Sequence, residues 1–278
     1  AGGAGVGAPR GNAARGGGVS GGGGALAAEL VAALLAQRVE IKSSTVVRSL
    51  ARTIFEGGPK WELTTGPVPA PILYHADALV VTVPATPAAR LLAPLSPDAA
   101  RELGKIAYAS IGIVSLALPR HGLPKLPGAG FLVAPMDGRA VKEWMFTTNT
   151  WGWVADLAPD LFILRASLGR IGEEALLQRS DRDLVRLVLV DLAEALRAQL
   201  PAPVDSHVQR WGGALPQYAV GHVDRVARIR TAVAQVPGLE VAGAAYGGVR
   251  QPRCRPPWHI RPGRRLAPPR ADVGQGDR

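Results

Sequence analysis

The side chains in this 278-residue chain best suited to nucleophilic or metal chemistry are five histidines, at positions 75, 121, 207, 222 and 259, and one cysteine, Cys254. Their spacing serves neither purpose. No two histidines stand four residues apart, as ligands on one helix face would, and a single thiol offers neither a metal-site spacing nor an intramolecular disulfide. A hydrolase elbow needs G-x-S-x-G on a strand-to-helix turn, whereas Gly18-Val-Ser20-Gly-Gly22 lies in a glycine-rich run. The G-x-G-x-x-A string Gly3-Ala-Gly5-Val-Gly-Ala8 fails as a dinucleotide loop for the same reason, since that motif works only between a strand and a helix N-terminus. With no acid–base dyad, no catalytic side chain and no metal set, the chemistry has to come from a bound cofactor.

One segment suits a flat ligand. In Leu239-Glu-Val-Ala-Gly-Ala-Ala-Tyr-Gly-Gly-Val249 a short apolar strand runs into small residues, which let backbone approach a ring closely. The competing reading is a tight turn packed on the core, and spacing alone leaves both open. About thirty residues upstream lies Arg210-Trp-Gly-Gly-Ala-Leu-Pro-Gln-Tyr-Ala-Val-Gly-His-Val-Asp-Arg225, with two aromatics, a glycine pair and an Asp placed to cap a helix.

The elements that must position these segments follow from periodicity and turn chemistry. The Ala/Leu-rich stretch Ala25–Gln37 predicts a helix, and Val39–Thr45 alternates as a half-buried strand does. Lys60–Thr65 and Ala78–Val83 predict strands, the second apolar on both faces and therefore buried. Thr86–Leu92 and Pro97–Ile106 predict helices, with Pro97 in a first turn. Tyr108–Leu118, Gly130–Ala134, Lys142–Thr148 and Leu161–Leu168 predict a mostly antiparallel sheet. Ser180 and Asp183 form an N-cap pattern before Leu184, Leu187, Val188, Leu192, Ala195, Leu196 and Leu200 at helical spacing. Val204–Trp211 predicts a strand, Asp224–Gln235 a helix and Leu239–Ala242 a short strand.

Composition sets the bounds. Of the net charge of +10, six charges come from the Arg/Pro-rich residues 250–278 and two from residues 1–24, half of which are glycine, so residues 25–249 carry only +2. The basicity belongs to low-complexity ends and not to a folded face, which argues against nucleic acid as a partner. The apolar stretches are shorter than a membrane span. We expect a soluble or membrane-peripheral protein of a reducing compartment, the cytoplasm. The first residue, Ala1, suggests a fragment or processed product.

The string Trp211…Leu215-Pro-Gln-Tyr218…Gly221-His222, followed by Ala242-Gly-Ala-Ala-Tyr…Gly248-Val249, resembles the C-terminal flavin-binding half of the oxygen-dependent protoporphyrinogen and coproporphyrinogen oxidases. The resemblance spans residues 25–249. It implies cofactor contacts at Val47, at the Pro84-Ala85 turn, at Trp211 and at Gly243, Gly248 and Val249. The Gly130-Phe-Leu-Val133 stretch is similar to one lining the porphyrinogen cavity, so Gly130 and Leu132 are implied substrate contacts. It implies a fold of mixed α/β (α+β) class: part of a Rossmann-type FAD domain (25–95, with 204–249 returning to it) and a mostly antiparallel substrate domain (96–203). These are flanked by a flexible segment (1–24) and a tail without regular structure (250–278).

The implied activity is a six-electron oxidation of a porphyrinogen, with FAD as cofactor and dioxygen as acceptor. Coproporphyrinogen III is the expected substrate, with protoporphyrinogen IX as its rival. A different amine-oxidase-like flavoenzyme, a nucleic-acid binder acting through its tail and an inactive fragment are the competing readings. Two departures stand out: the family's N-terminal β-α-β unit has no counterpart, and Arg250-Gln-Pro-Arg-Cys-Arg-Pro-Pro257 cannot form the helix that follows Val249 in the family. Shifted reading frames at both ends would account for them.

Overall fold

The computed structural model describes residues 22–248. Readings that fall on residues 1–21 and 249–278, Val249 among them, lie outside the described residues. The elements begin with helix α1 (Gly22–Ala36), strands β1 (Val47–Phe55), β2 (Gly58–Thr65), β3 (Ile72–Ala76) and β4 (Leu79–Val81), and helices α2 (Ala85–Leu92) and α3 (Pro97–Leu103). Strands β5 (Tyr108–Pro119), β6 (Gly130–Leu132) and β7 (Val141–Met145) come next, then helices α4 (Thr147–Thr150) and α5 (Gly152–Leu157) and strand β8 (Leu161–Leu168). The chain continues through α6 (Asp181–Leu196), β9 (Asp205–Pro216), α7 (His222–Ala234), β10 (Leu239–Val241) and α8 (Ala244–Gly247). The class is mixed α/β, as expected.

Two units share these elements. Among the described residues, unit 1 holds 22–43, 112–168 and 175–209, and unit 2 holds 44–111, 169–174 and 210–248, so β5 and β9 each run through a boundary.

Unit 1 is built on the sheet ordered β6-β7-β8-β5-β9, antiparallel at its first three pairings. Alternation sends Val114, Leu116 and Leu118 of β5 and Phe162, Leu164 and Ala166 of β8 into one core. Helix α6 lays Leu184, Val188 and Leu192 over it, four residues apart on one stripe. Its start follows the expected N-cap: the Ser180 hydroxyl accepts from the Asp183 N–H at 3.2 Å. Each such buried aliphatic side chain contributes roughly 1.5–3 kcal/mol.

Unit 2 combines the antiparallel sheet β1-β2-β3 with the two-stranded parallel pair β4 and β10. Glu56 and Gly57, both at positive φ, close the β1–β2 hairpin with the primed turn that matches strand twist. Fully buried Trp61 packs with Ala85, Ala88 and Leu92 of α2 and Ile229 and Val233 of α7.

Three expectations are corrected. Residues 39–45 form no strand: Ser44 takes φ 53, Val39 and Ile41 stay exposed, and the strand begins at Val47. The strand expected over 78–83 is confined to Leu79–Val81, and Val80 is 47% exposed, so it is buried on one face only. Strand β7 ends at Met145, and the chain turns helical at Thr147 where sequence carried the strand to Thr148. The Thr148 hydroxyl accepts the Ile163 N–H at 2.8 Å there, a local side-chain bond that competes with strand pairing.

Candidate functional site

In unit 2, β4 and β10 run parallel with Leu79 beside Leu239 and Val81 beside Val241, so both carboxyl ends finish at one level. The Leu79 N–H donates to the Gly238 carbonyl at 2.8 Å and the Ala242 N–H to the Val81 carbonyl at 3.1 Å, locking that register. Beyond those ends, β4 turns through Thr82–Pro84 into α2, and β10 through Ala242–Gly243 into α8. The space outside the carboxyl ends of adjacent parallel strands is where open α/β sheets bind ligands.

The two turns touch. A Cβ on Gly243 would meet the Thr82 carbonyl oxygen at 3.5 Å, and its φ of 127 with ψ of −177 is a conformation open in practice only to glycine. Gly248, at φ 117, closes the small-residue run in the same region. Between them Ala244 and Gly247 are half-buried, which leaves a strip of backbone bare of large side chains. Pro84 is exposed beside this strip. Ala85 is fully buried and its N–H donates to the Tyr108 hydroxyl at 2.9 Å, so of that pair only Pro84 presents a surface. Val47 opens β1, half-buried against the same core.

The upstream segment is tied to this strip. The Tyr218 hydroxyl donates to the Ala244 carbonyl at 2.8 Å, and its ring lies 4.6 Å from that of His222. The Gln217 N–H donates to the Ala107 carbonyl at 2.9 Å and the Gly213 N–H to the Ser110 hydroxyl at 3.1 Å, which fastens residues 213–217 to the start of β5 and the residue before it. Trp211, in β9, remains 55% exposed. The Tyr218 clamp was not assigned from sequence. Its signal was an aromatic and a histidine four residues apart, spanning Gly221 at the start of α7.

Charge enters through the scaffold. Nearly buried Glu102 on α3 accepts from Lys105 at 2.6 Å and from Arg228 on α7 at 2.7 Å, and these bonds hold its carboxyl down at about 2. The network pins α7, whose first turn carries His222. Behind the strip, the Tyr246 hydroxyl is buried without a hydrogen-bond partner among the described residues, and burial pushes it above the usual phenol range. No cluster of three metal-ligating side chains occurs among the described residues.

A family profile described as flavin containing amine oxidoreductase matches residues 7–254. The chain belongs to that family. Within the flavin containing amine oxidoreductases it is 36% identical over 182 residues to a coproporphyrinogen III oxidase of Mycobacterium bovis, covering 65% of this chain and 38% of that one. It is 32% identical over 185 residues to the Bacillus subtilis protein of the same name, covering 66% and 38%. A crystal structure of a candidate protoporphyrinogen oxidase from Exiguobacterium sp. 255-15 superposes with a TM-score of 0.67 at 30% identity, over 81% of this chain and 48% of that one. The chain thus spans about two fifths of the length of the curated relatives it matches.

For a flavin-containing family, the strip fits the group on its own geometry. A backbone surface bounded by two glycines at positive φ, a conformation L side chains rarely adopt, with a half-exposed indole in the same unit, suits a flat heteroaromatic ring. The residues implied as substrate contacts lie in unit 1. Gly130, at φ 138, has a structural reason of its own: a Cβ there would stand 1.9 Å from the Trp144 carbonyl oxygen. Leu132, two residues on, is 78% exposed.

Proposed function

We propose that this chain supplies part of an FAD-dependent porphyrinogen oxidase of haem biosynthesis, acting in the cytoplasm on coproporphyrinogen III with dioxygen as acceptor. The observation that carries the reading is the Tyr218–Ala244 hydrogen bond, which joins the two segments that resemble the family's flavin-binding half. The identity to proteins named coproporphyrinogen III oxidase favours that substrate over protoporphyrinogen IX.

Held here, FAD would supply the redox chemistry, as hydride acceptor for a saturated carbon of the macrocycle and as electron donor to dioxygen. This chain's residues do the positioning. Gly243 and Gly248 would let the backbone lie against the ring, Trp211 would offer it an apolar face, and Val47 and Pro84 would touch the cofactor as the resemblance implies. Leu132 would meet the apolar macrocycle.

The test combines the 278-residue chain with the unmatched part of the Bacillus subtilis relative, FAD and each porphyrinogen, and follows porphyrin fluorescence. We expect the chain alone to purify colourless and the mixture to convert coproporphyrinogen III faster than protoporphyrinogen IX. Flavin uptake with neither substrate converted would point to another amine-oxidase-like activity.

A further inference from the structure

We propose that Arg165 is a carboxylate-recognition residue, set in the outer face of the unit 1 sheet to bind an acidic side chain of the porphyrinogen substrate. The inference rests on the porphyrinogen reading and adds to it a named residue and the substrate group that residue grips.

The placement follows from register. In an antiparallel sheet, residues opposite each other share a face and neighbours along a strand alternate between faces. Trp144, Ala166 and Val114 form one row across β7, β8 and β5, buried in the core under α6. The row beside it, Met145, Arg165 and Ser115, therefore points the other way, with Gly130 of β6 paired to Met145 at its end. Leu132, Glu143, Ser167 and Ile113 make up the next row on that outer face. Gly130 and Leu132, the residues that the resemblance implies as substrate contacts, thus lie in the same two rows as Arg165.

The ligand chemistry follows from what surrounds the cation. Strand β8 is the middle strand of five, so Arg165 rises from the centre of the sheet and not from its rim. It is exposed and has no hydrogen-bond or ion-pair partner among the described residues. Glu143, the carboxylate in the adjacent row, accepts instead from the Ser167 hydroxyl at 3.4 Å. Met145 and Ile163 flank Arg165 half-buried, and Leu132 is 78% exposed. A guanidinium between apolar side chains loses its hydration when the face is covered, so whatever covers it has to bring an anion. An apolar body that carries a carboxylate meets both demands. The body lies on Met145, Ile163 and Leu132, while the carboxylate takes the planar fork of Arg165, with the Ser115 hydroxyl beside it as a further donor. A tetrapyrrole with acidic side chains has that form. A polyanion would call for several cations, and in these two rows Arg165 is the sole one.

The probe is coproporphyrin III, the stable oxidised form of the expected substrate, titrated into the full chain and followed by porphyrin fluorescence. Its tetramethyl ester, in the same dilute detergent, is the uncharged counterpart. Arg165→Met removes the charge at an exposed position and should leave melting unchanged. We expect that variant to bind coproporphyrin III at least about tenfold more weakly and the ester as tightly as the unaltered chain does, with Arg165→Lys recovering part of the loss. Equal affinity of the unaltered chain and Arg165→Met for coproporphyrin III, or an equal loss for acid and ester, would overturn the proposal and leave the porphyrinogen reading standing. Failure of every chain to bind either porphyrin would remove that reading and the proposal with it.

Discussion

The two units are stabilised differently. Unit 1 is held by period: strands β5 and β8 alternate, α6 repeats every fourth residue, and the side chains with chemistry are tied into the scaffold. There Asp191 accepts the Val141 N–H at 2.9 Å, and Asn149 donates to the Leu126 and Gly128 carbonyls at 2.7 and 2.8 Å. Unit 2 is held by close approach. Its parallel strands are three residues long, its turns depend on glycine conformations, and Trp211, Tyr218, Val220 and Val223 stay exposed. Bare backbone beside uncovered aromatics, as in unit 2, is the arrangement a flat ligand needs.

The contrast can be broken at single positions. Gly130→Ala should have the largest effect, because its methyl group would overlap the Trp144 carbonyl oxygen. We expect a loss of about 3 kcal/mol or more by urea denaturation, with hydrogen exchange accelerated in unit 1 and little changed in unit 2. Gly243→Val should cost about 1–3 kcal/mol by placing a β-branched residue at φ 127. Here the exchange should rise in unit 2 alone.

Acid should act on unit 2 through Glu102. Its carboxyl is lowered from 4.5 to about 2 by hydrogen bonds from Lys105 and Arg228, so the stabilisation is present above pH 4.5 and fades as pH falls through about 2. Urea midpoints of the protein and of Glu102→Gln should differ at pH 6 and converge towards pH 2. Tyr218→Phe should have the smallest effect, about 1 kcal/mol for one neutral hydrogen bond to Ala244. Were its effect on FAD affinity as large as that of Gly243→Val, the clamp would touch the cofactor directly and not merely position the strip.

What could be read from the sequence divides along the same line. Strand β8 over Leu161–Leu168 and the Ser180 cap of α6 were legible because period and capping are local signals. Strand β3 was not, since Pro67, Pro69 and Pro71 precede it and its pairing with β2 is non-local. The Val-rich run at 79–81 read as buried on both faces because pattern reports how apolar a strand is, not how many neighbours it finds. At the site, Gly243 and Trp211 were singled out by residue type and resemblance. The burial of Ala85 under Tyr108 and the Tyr218–Ala244 bond depend on tertiary placement, which no spacing rule contains.

The central claim is that Trp211 and the strip from Gly243 to Gly248 face one flavin ring. The most direct measurement is an FAD titration of the complex formed with the unmatched segment, comparing the unaltered chain with Trp211→Ala, a change at a half-exposed position. We predict affinity at least about tenfold lower in the variant with melting unchanged; equal affinity in the two would contradict the account.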